Sequence, residues 1–360
     1  MIKINKNTPA DKAERTSLIS FISEHRAILP ASIVVLYIIV FSILHTRVFL
    51  SAYNITSVLL ELSVPIIMVI GISLVLVCGE IDLSLGYNVL FSNMLVGTLV
   101  ILRVPPVLAI FMTIAVGATI GFLVGVLVTR CNVNSFIATL ASGLIFYGFA
   151  LYVNAAGTAL SYDVHTVYRL PSNFNVIMQY QLVPGMNLQI PIIYALIICS
   201  IFLYLVTKTK YFSQYYFVGA NRTAAHLSGI NSASIKTVAF TISAALSSVG
   251  GVIMCGRLGM CGSTVGIGWE LQIITAAVIG GVSFKGGRGT LFGAFAGALL
   301  LVCINNGMRI SDVPSTVYNI VYGFILLLAV VIDTLLGNVQ GKQQKSSFAS
   351  LLDKRKAEPV

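Results

Sequence analysis

Ten apolar runs, most of them about twenty residues long, constrain this chain more than any other feature. A helix rises 1.5 Å per residue, so about 20 apolar residues cross a hydrocarbon core of about 30 Å. A transmembrane barrel would need alternating strands of about ten residues, and these runs do not alternate. The sequence therefore predicts an all-α polytopic membrane protein with about ten transmembrane helices. The runs cover residues 28–48, 57–78, 85–102, 105–129, 134–155, 190–207, 237–256, 269–283, 290–308 and 315–335.

Composition excludes a water-soluble globule. The 360 residues are 57% hydrophobic and 9% charged, whereas soluble domains are about 25% charged. The net charge of +10 does not indicate nucleic-acid binding, because the basic residues lie at the ends of the apolar runs. The four histidines lie far apart in the predicted topology, so the sequence predicts no metal site.

The distribution of Lys and Arg predicts the orientation. With the N-terminus inside the cell, 17 basic residues lie on the inner side and five on the outer side. Inner loops are enriched in basic residues, so this split favours both termini inside and an even number of helices. The predicted organisation is a cytoplasmic tail over 1–26, a membrane domain over 27–336 and a second cytoplasmic tail over 337–360. A cytoplasmic loop covers 208–236, and the run 269–283 is short enough to be a partial or broken span.

A polar stretch from Tyr211 to Asn231 interrupts the apolar sequence inside that loop. Asn221 is suited to begin a helix and Gly229 to end one, which predicts a two-turn amphipathic helix. A helix of about eight residues is marginal in water, so its apolar side must rest on this protein or on another. The apolar residues that recur at helical spacing are Ala220, Ala224 and Leu227.

Two other polar segments separate apolar runs. The segment 79–86, Gly-Glu-Ile-Asp-Leu-Ser-Leu-Gly, places two carboxylates where ionisable groups are costly unless they face water, a partner or a pathway. Asp82 and Ser84 are also good N-caps, and the topology places the segment toward the cytoplasmic mouth. The sequence therefore favours pathway architecture or gating here.

The segment 280–290 holds five glycines in its first ten positions, which permits tight backbone and close helix approach. It is not a nucleotide-binding loop, because the G-K-[ST] ending is missing and no strand precedes it. Lys285 and Arg288 are expected at the inner membrane face, where they could anchor lipid headgroups or contact a partner.

The two halves of the chain are similar, as in transporters built from repeats. Residues 117–135 and 293–315 share a G-x-x-x-G helix that enters a turn and another apolar helix. Upstream, the segment 78–84 is matched with 279–284. Repeat transporters place their pathway between the repeats, often where helices break.

Three motifs, in order along residues 57–333, resemble those of ribose/xylose-type monosaccharide ABC importer permeases, the inner-membrane components of binding-protein-dependent systems. They are G-x-I-D-L-S at 79–84, G-x-N-x-x-A-A-x-x-S-G-I at 219–230 and G-G-x-S-x-x-G-G-R-G at 280–289. Within this family, the G-E-I-D-L-S and G-G-R-G segments favour the sugar branch over branched-chain amino-acid permeases. An ion-driven sugar symporter is the alternative from another class.

The resemblance implies a multi-pass permease subunit of the bacterial cytoplasmic membrane that imports a monosaccharide and is not itself an enzyme. Its implied partners are a cytoplasmic ATPase, which uses the ATP, an extracytoplasmic sugar-binding protein, and a second permease chain, identical or paralogous. No cofactor is expected in this chain. The residues expected to couple to the ATPase are Gly219, Asn221, Arg222, Ala224, Ala225, Ser228 and Gly229. Those expected in the pathway or its gate are Gly79, Glu80, Asp82, Ser84, Gly280, Gly281, Ser283, Gly286, Gly287 and Arg288.

Polar residues inside the apolar runs are candidates for the wall of a pathway, although none differs from ordinary interhelical hydrogen bonding. Trp269 is expected in an interfacial aromatic belt. The candidate wall residues are Ser73, Asn88, Ser92, Asn93, Thr139, Ser142, Gln272, Thr275 and Asn305.

Overall fold

A computed structural model describes residues 28–161, 167–170, 172–331 and 333–334. The predicted tails over 1–26 and 337–360 lie outside the described residues. The helices are α1 Ile28–Leu44, α2 Thr46–Phe49, α3 Ala52–Val77, α4 Leu85–Ile101, α5 Pro106–Thr129, α6 Ser135–Ser161, α7 Ser172–Gln179, α8 Ile190–Lys208, α9 Lys210–Ala220, α10 Arg222–Leu227, α11 Ser232–Leu258, α12 Trp269–Ile279, α13 Leu291–Ile310 and α14 Ser315–Val331.

Six of these helices are long and apolar enough to cross a membrane, namely α3, α5, α6, α8, α11 and α13. Four apolar helices, α1, α4, α12 and α14, are shorter in their described parts. The prediction of a helical membrane protein is confirmed, with one addition. Val167–Arg169 (β1) and Met260–Gly262 (β2) pair as a two-stranded antiparallel sheet. The run 269–283 forms a helix of only 11 residues, α12, and a partial or broken span there stays a prediction.

Long helices α3 and α11 form the interior. About 70% of the most apolar window of each is buried, compared with 28% for α5, α6 and α8, which turn apolar side chains outward. The glycine stripe of α5 faces α11: a Cβ at Gly121 would lie 2.4 Å from Cβ of Ala244, and one at Gly125 would lie 2.8 Å from Cα of Thr237. Since lipid supplies no hydrophobic drive between helices, this close backbone approach stabilises the pair.

The order of elements repeats along the chain. Long α3, a non-helical segment, shorter α4 and then α5 and α6 are followed later by long α11, a second non-helical segment, short α12 and then α13 and α14. In this order, the segment 78–84 corresponds to 259–268, so its match with 279–284 is wrong as a repeat alignment. Segments 78–84 and 279–284 each begin at the end of a helix, α3 and α12 respectively.

Candidate functional site

The predicted short helix in the polar loop is α10, which extends over six residues. Asn221 caps it, because its side-chain oxygen accepts a hydrogen bond of 3.0 Å from the amide of Ala224. Gly229 follows with a φ of 80° and ends it. The predicted apolar side does not pack on the described part of this chain, which leaves contact with another protein as the expectation: Ala224 is exposed and Leu227 is 82% exposed, whereas Ala225 is buried. The physical reason is that the turn packs on Ala225 and leaves its large apolar residue facing outward.

Helix α9 attaches this exposed turn to the membrane domain. Its side chains Phe212, Tyr215 and Val218 are buried, and α9 packs against α3, α8 and α11. Burial raises the pKa of Tyr215, so its hydroxyl stays protonated. Helices α9 and α10 share one junction, because Asn221 follows the last residue of α9 and caps the start of α10.

Three chain segments meet backbone to backbone beside the end of α9. The carbonyl of Val77 accepts a hydrogen bond of 2.7 Å from the amide of Gly287. Gly219 lies against this bond, since a Cβ on it would be 1.8 Å from the Val77 oxygen and 2.5 Å from the Gly287 nitrogen. Gly286 lies against Gly79, where its Cβ would be 2.8 Å from the Gly79 nitrogen. We call these five residues the glycine junction. It brings together the three segments that the sequence marked separately.

Two of these segments end a helix in the same way. At Gly79 and Gly281 the chain takes a positive φ of 76° and 87°. The amide of each glycine bonds the carbonyl three residues earlier, and the next amide bonds the carbonyl five residues earlier. This is the Schellman motif, and its equivalent glycines, Gly79 and Gly281, are one position out of register with the sequence match, which pairs Gly79 with Gly280. The neighbouring Gly280 allows α12 to contact the backbone of Gly293 at the start of α13.

The two carboxylates after α3 have different partners. Glu80 forms an ion pair of 2.5 Å with Lys236, and their side chains are 18% and 11% exposed. Asp82 is buried, and its oxygens accept hydrogen bonds from the amide and hydroxyl of Ser84, at 2.9 and 2.6 Å, and from the hydroxyl of Ser243, at 2.9 Å.

The position of Asp82 corrects the sequence analysis. Lys236 is in the second turn of α11, but Ser243 is its twelfth residue, about 17 Å from its start. Residues 80–84 form no helix and rise along α11, so Glu80 lies near the helix start while Asp82 lies near its midpoint. The expectation that the whole segment lies at the cytoplasmic mouth is therefore wrong for Asp82.

Ser283 ties the glycine-rich segment to Asp333, which follows α14. Its hydroxyl donates a hydrogen bond of 3.1 Å to the carboxylate of Asp333, which also accepts from the amide of Phe284 at 3.3 Å. Lys285 and Arg288 are exposed. The segment is thus fixed by its backbone and presents its two basic side chains to the surroundings.

The structure divides the candidate wall residues into two groups. Most make bonds within or between helices; for example, Asn88 donates to the carbonyl of Ala244 and Thr275 donates to that of Leu271. Gln272 and Asn305 instead line a cavity. Trp269, the first residue of α12, lines the same cavity, and its expected place in an interfacial belt stays a prediction.

Four polar residues of this cavity were not among the candidates from the sequence, namely Glu61, Arg257, Arg309 and Tyr322. Glu61 is the one acidic residue within the apolar α3, and an ionisable residue in such a helix is a functional signal by default. That signal was available in the sequence, but it does not identify the partner helices.

Interrupted helices around a long central helix, with a basic loop that contacts the segments after α3 and α12, are typical of multispanning transport proteins. The chain belongs to the family described as branched-chain amino acid transport system / permease component, whose profile matches residues 54–330.

Named relatives within that family are sugar permeases. The D-allose transport system permease protein of Escherichia coli is 30% identical over 305 residues, which cover 84% of this chain and 90% of the relative. The ribose import permease protein of the same organism is 32% identical over 79% and 87%. The galactose/methyl galactoside import permease protein of Salmonella typhimurium is 31% identical over 84% and 93%. No solved structure matches the chain.

Proposed function

We propose that this chain is the membrane-spanning subunit of an ATP-driven importer in the bacterial cytoplasmic membrane and that it translocates a ribose-, xylose- or galactose-like monosaccharide. The observation that carries the proposal is the 30 to 32% identity, over most of each chain, to permeases named for allose, ribose and galactose. The family description names branched-chain amino acids, but these relatives are named for sugars. A separate ATPase supplies the energy, and an extracytoplasmic binding protein delivers the sugar.

The proposed topology has all ten apolar helices crossing or entering the membrane, with both termini inside. The 17 to five distribution of basic residues supports it. In this orientation α10 faces the cytoplasm, where an ATPase can meet it. The exposed positions of Arg222, Ala224 and Ser228 suit such a contact, and Leu227 adds an apolar side chain that is 82% exposed.

The proposed coupling passes through the glycine junction. When the ATPase moves α10, α9 moves with it, and Gly219 presses on the bond between Val77 and Gly287. Contact between backbones leaves no flexible side chain to absorb the displacement, so the end of α3 and the segment between α12 and α13 follow. The ion pair of Glu80 and the hydrogen bonds of Asp82 link the same segment to α11, so a gate here is opened by tilting of packed helices.

Reconstitution tests the proposal. Proteoliposomes with the complete complex should take up labelled monosaccharide only with ATP and loaded binding protein. Leu227→Ser should weaken co-purification of the ATPase, because it removes the exposed apolar contact, while Leu182→Ser, in the loop before α8 and 39% exposed, should not. Uptake driven by an ion gradient without the ATPase would contradict the proposal.

A further inference from the structure

A half-open cavity of about 240 Å³ lies among α3, α11, α12 and α13, with α14 beside it. Most of its lining residues sit near one end of the bundle: Arg257 is in the last turn of α11, Asn305 is near the end of α13 and Trp269 begins α12. In the proposed topology this is the outer end. The cavity therefore opens on the side from which an imported substrate arrives.

The polar groups of the cavity are only partly satisfied by the protein. Arg309 donates to both oxygens of Glu61, at 2.9 and 2.8 Å, which occupies that pair. Asn305 reaches Glu61 through its amide nitrogen at 3.4 Å, but its buried oxygen has no hydrogen-bond partner among the described residues. The Arg257 guanidinium makes one bond, of 3.4 Å, to the carbonyl of Leu60. A buried oxygen without a partner, such as that of Asn305, is costly unless a ligand or water completes it.

The rest of the lining suits a ligand that is also partly apolar. Trp269 supplies an aromatic surface, and aliphatic side chains such as Val64, Ile273 and Leu301 complete the wall. Hydroxyl groups can both donate to Asn305 and accept from Arg257 or Gln272, while the C–H face of a sugar ring packs on an aromatic or aliphatic wall. The volume is below the roughly 300 to 1,000 Å³ of sites for drug-sized ligands, which suits one ring rather than an oligosaccharide.

We propose that this cavity is the site at which the permease receives a neutral monosaccharide, with Gln272, Asn305 and Arg257 bonding its hydroxyls and Trp269 contacting its ring. The inference rests on the proposed function and specifies which part of the chain meets the substrate. The relatives that support the proposed function are named for neutral sugars. One nitrogen of Arg309 already donates to both oxygens of Glu61, so Arg257 is positioned to donate to a hydroxyl oxygen of the sugar. Binding is weak, because a site on a pathway must release its ligand.

The only tryptophan of the chain lies in the cavity, which provides a direct assay. The purified full-length permease is titrated with ribose, xylose and galactose while Trp269 emission is followed, and equilibrium binding of the labelled sugars is measured in parallel. We expect a saturable change for at least one sugar. Gln272→Leu and Asn305→Leu should each weaken that binding about tenfold, because each removes one or two hydrogen bonds at nearly constant size.

Leu271→Ala is the matched control, since Leu271 neighbours Gln272 on α12 but is 50% exposed and lies outside the cavity. It should bind sugar as the wild type does, and all variants should elute as single species with similar melting temperatures. Equal affinities for Gln272→Leu, Asn305→Leu and Leu271→Ala would overturn the inference. So would a sugar acid that binds more tightly than every neutral sugar, or ATP-driven uptake by a wild-type complex whose permease binds no sugar in either assay. Sugar binding without any ATP-driven uptake would overturn the importer function instead and leave the cavity site intact.

Discussion

Gly219→Ala should break the glycine junction. The new Cβ would lie 1.8 Å from the carbonyl oxygen of Val77 and 2.5 Å from the amide nitrogen of Gly287, so the backbone must separate there. The lost hydrogen bond costs about 1 kcal/mol and the overpacking about 1–3 kcal/mol, which together give about 2–4 kcal/mol of unfolding free energy. The strain lies where α9 contacts Val77 at the end of α3 and Gly287 in the glycine-rich segment. ATP-driven uptake should therefore fall more than the amount of folded protein does.

Thermal unfolding of the purified variant and uptake by the reconstituted complex measure the two effects. Gly148→Ala is the control: Gly148 lies inside α6 with no atom within 4 Å of its added Cβ, so alanine should be neutral or stabilising by up to about 1 kcal/mol. A melting temperature and an uptake rate for Gly219→Ala that match those of Gly148→Ala would refute the close contact and the transmission through it.

Three further predictions follow from the neighbouring contacts. Glu80→Gln should destabilise the chain by about 3–5 kcal/mol, because Lys236 is left buried without its partner, and adding Lys236→Met should restore most of the loss. Thermal melts of the double-mutant cycle measure this, and additive losses would contradict the ion pair. Asp82→Ala should lower the unfolding free energy more than Ser243→Ala does, since it leaves several buried donors without an acceptor at about 1–3 kcal/mol each; equal losses would contradict that network. Asn221→Ala should destabilise α10 by about 0.5–2 kcal/mol and reduce both uptake and ATPase co-purification. The global melting temperature should change little, because this helix is exposed. Asn221→Ser should retain the cap, and a serine variant as impaired as the alanine variant would contradict this explanation.

Much of the local structure could be predicted from the sequence. Local backbone preference and apolar periodicity depend on neighbouring residues and can be seen in the sequence. They indicate the apolar runs, the helix caps at Asn221 and Gly229, the short run at 269–283 and the polar segments 79–84 and 280–289. The similarity of two helix ends was also visible, but without the fold it was assigned to a repeat. The ten-span topology, the orientation and the partners stay predictions.

The tertiary structure alone determined which segments meet. Gly219, Gly287 and Val77 contact through backbone atoms, and a backbone contact leaves no side-chain pattern that names its partner. The depth of Asp82 depends on how a non-helical segment rises beside α11, and the cavity depends on five helices that converge from distant parts of the chain. The sequence by itself determined that the chain is helical, apolar and interrupted at particular residues, because those properties are local. Only the packing of those helices decided that the loop bearing α10 contacts the segments after α3 and α12. The same packing brings Glu61, Arg257, Trp269 and Asn305 into one cavity, because long-range contacts depend on the whole fold.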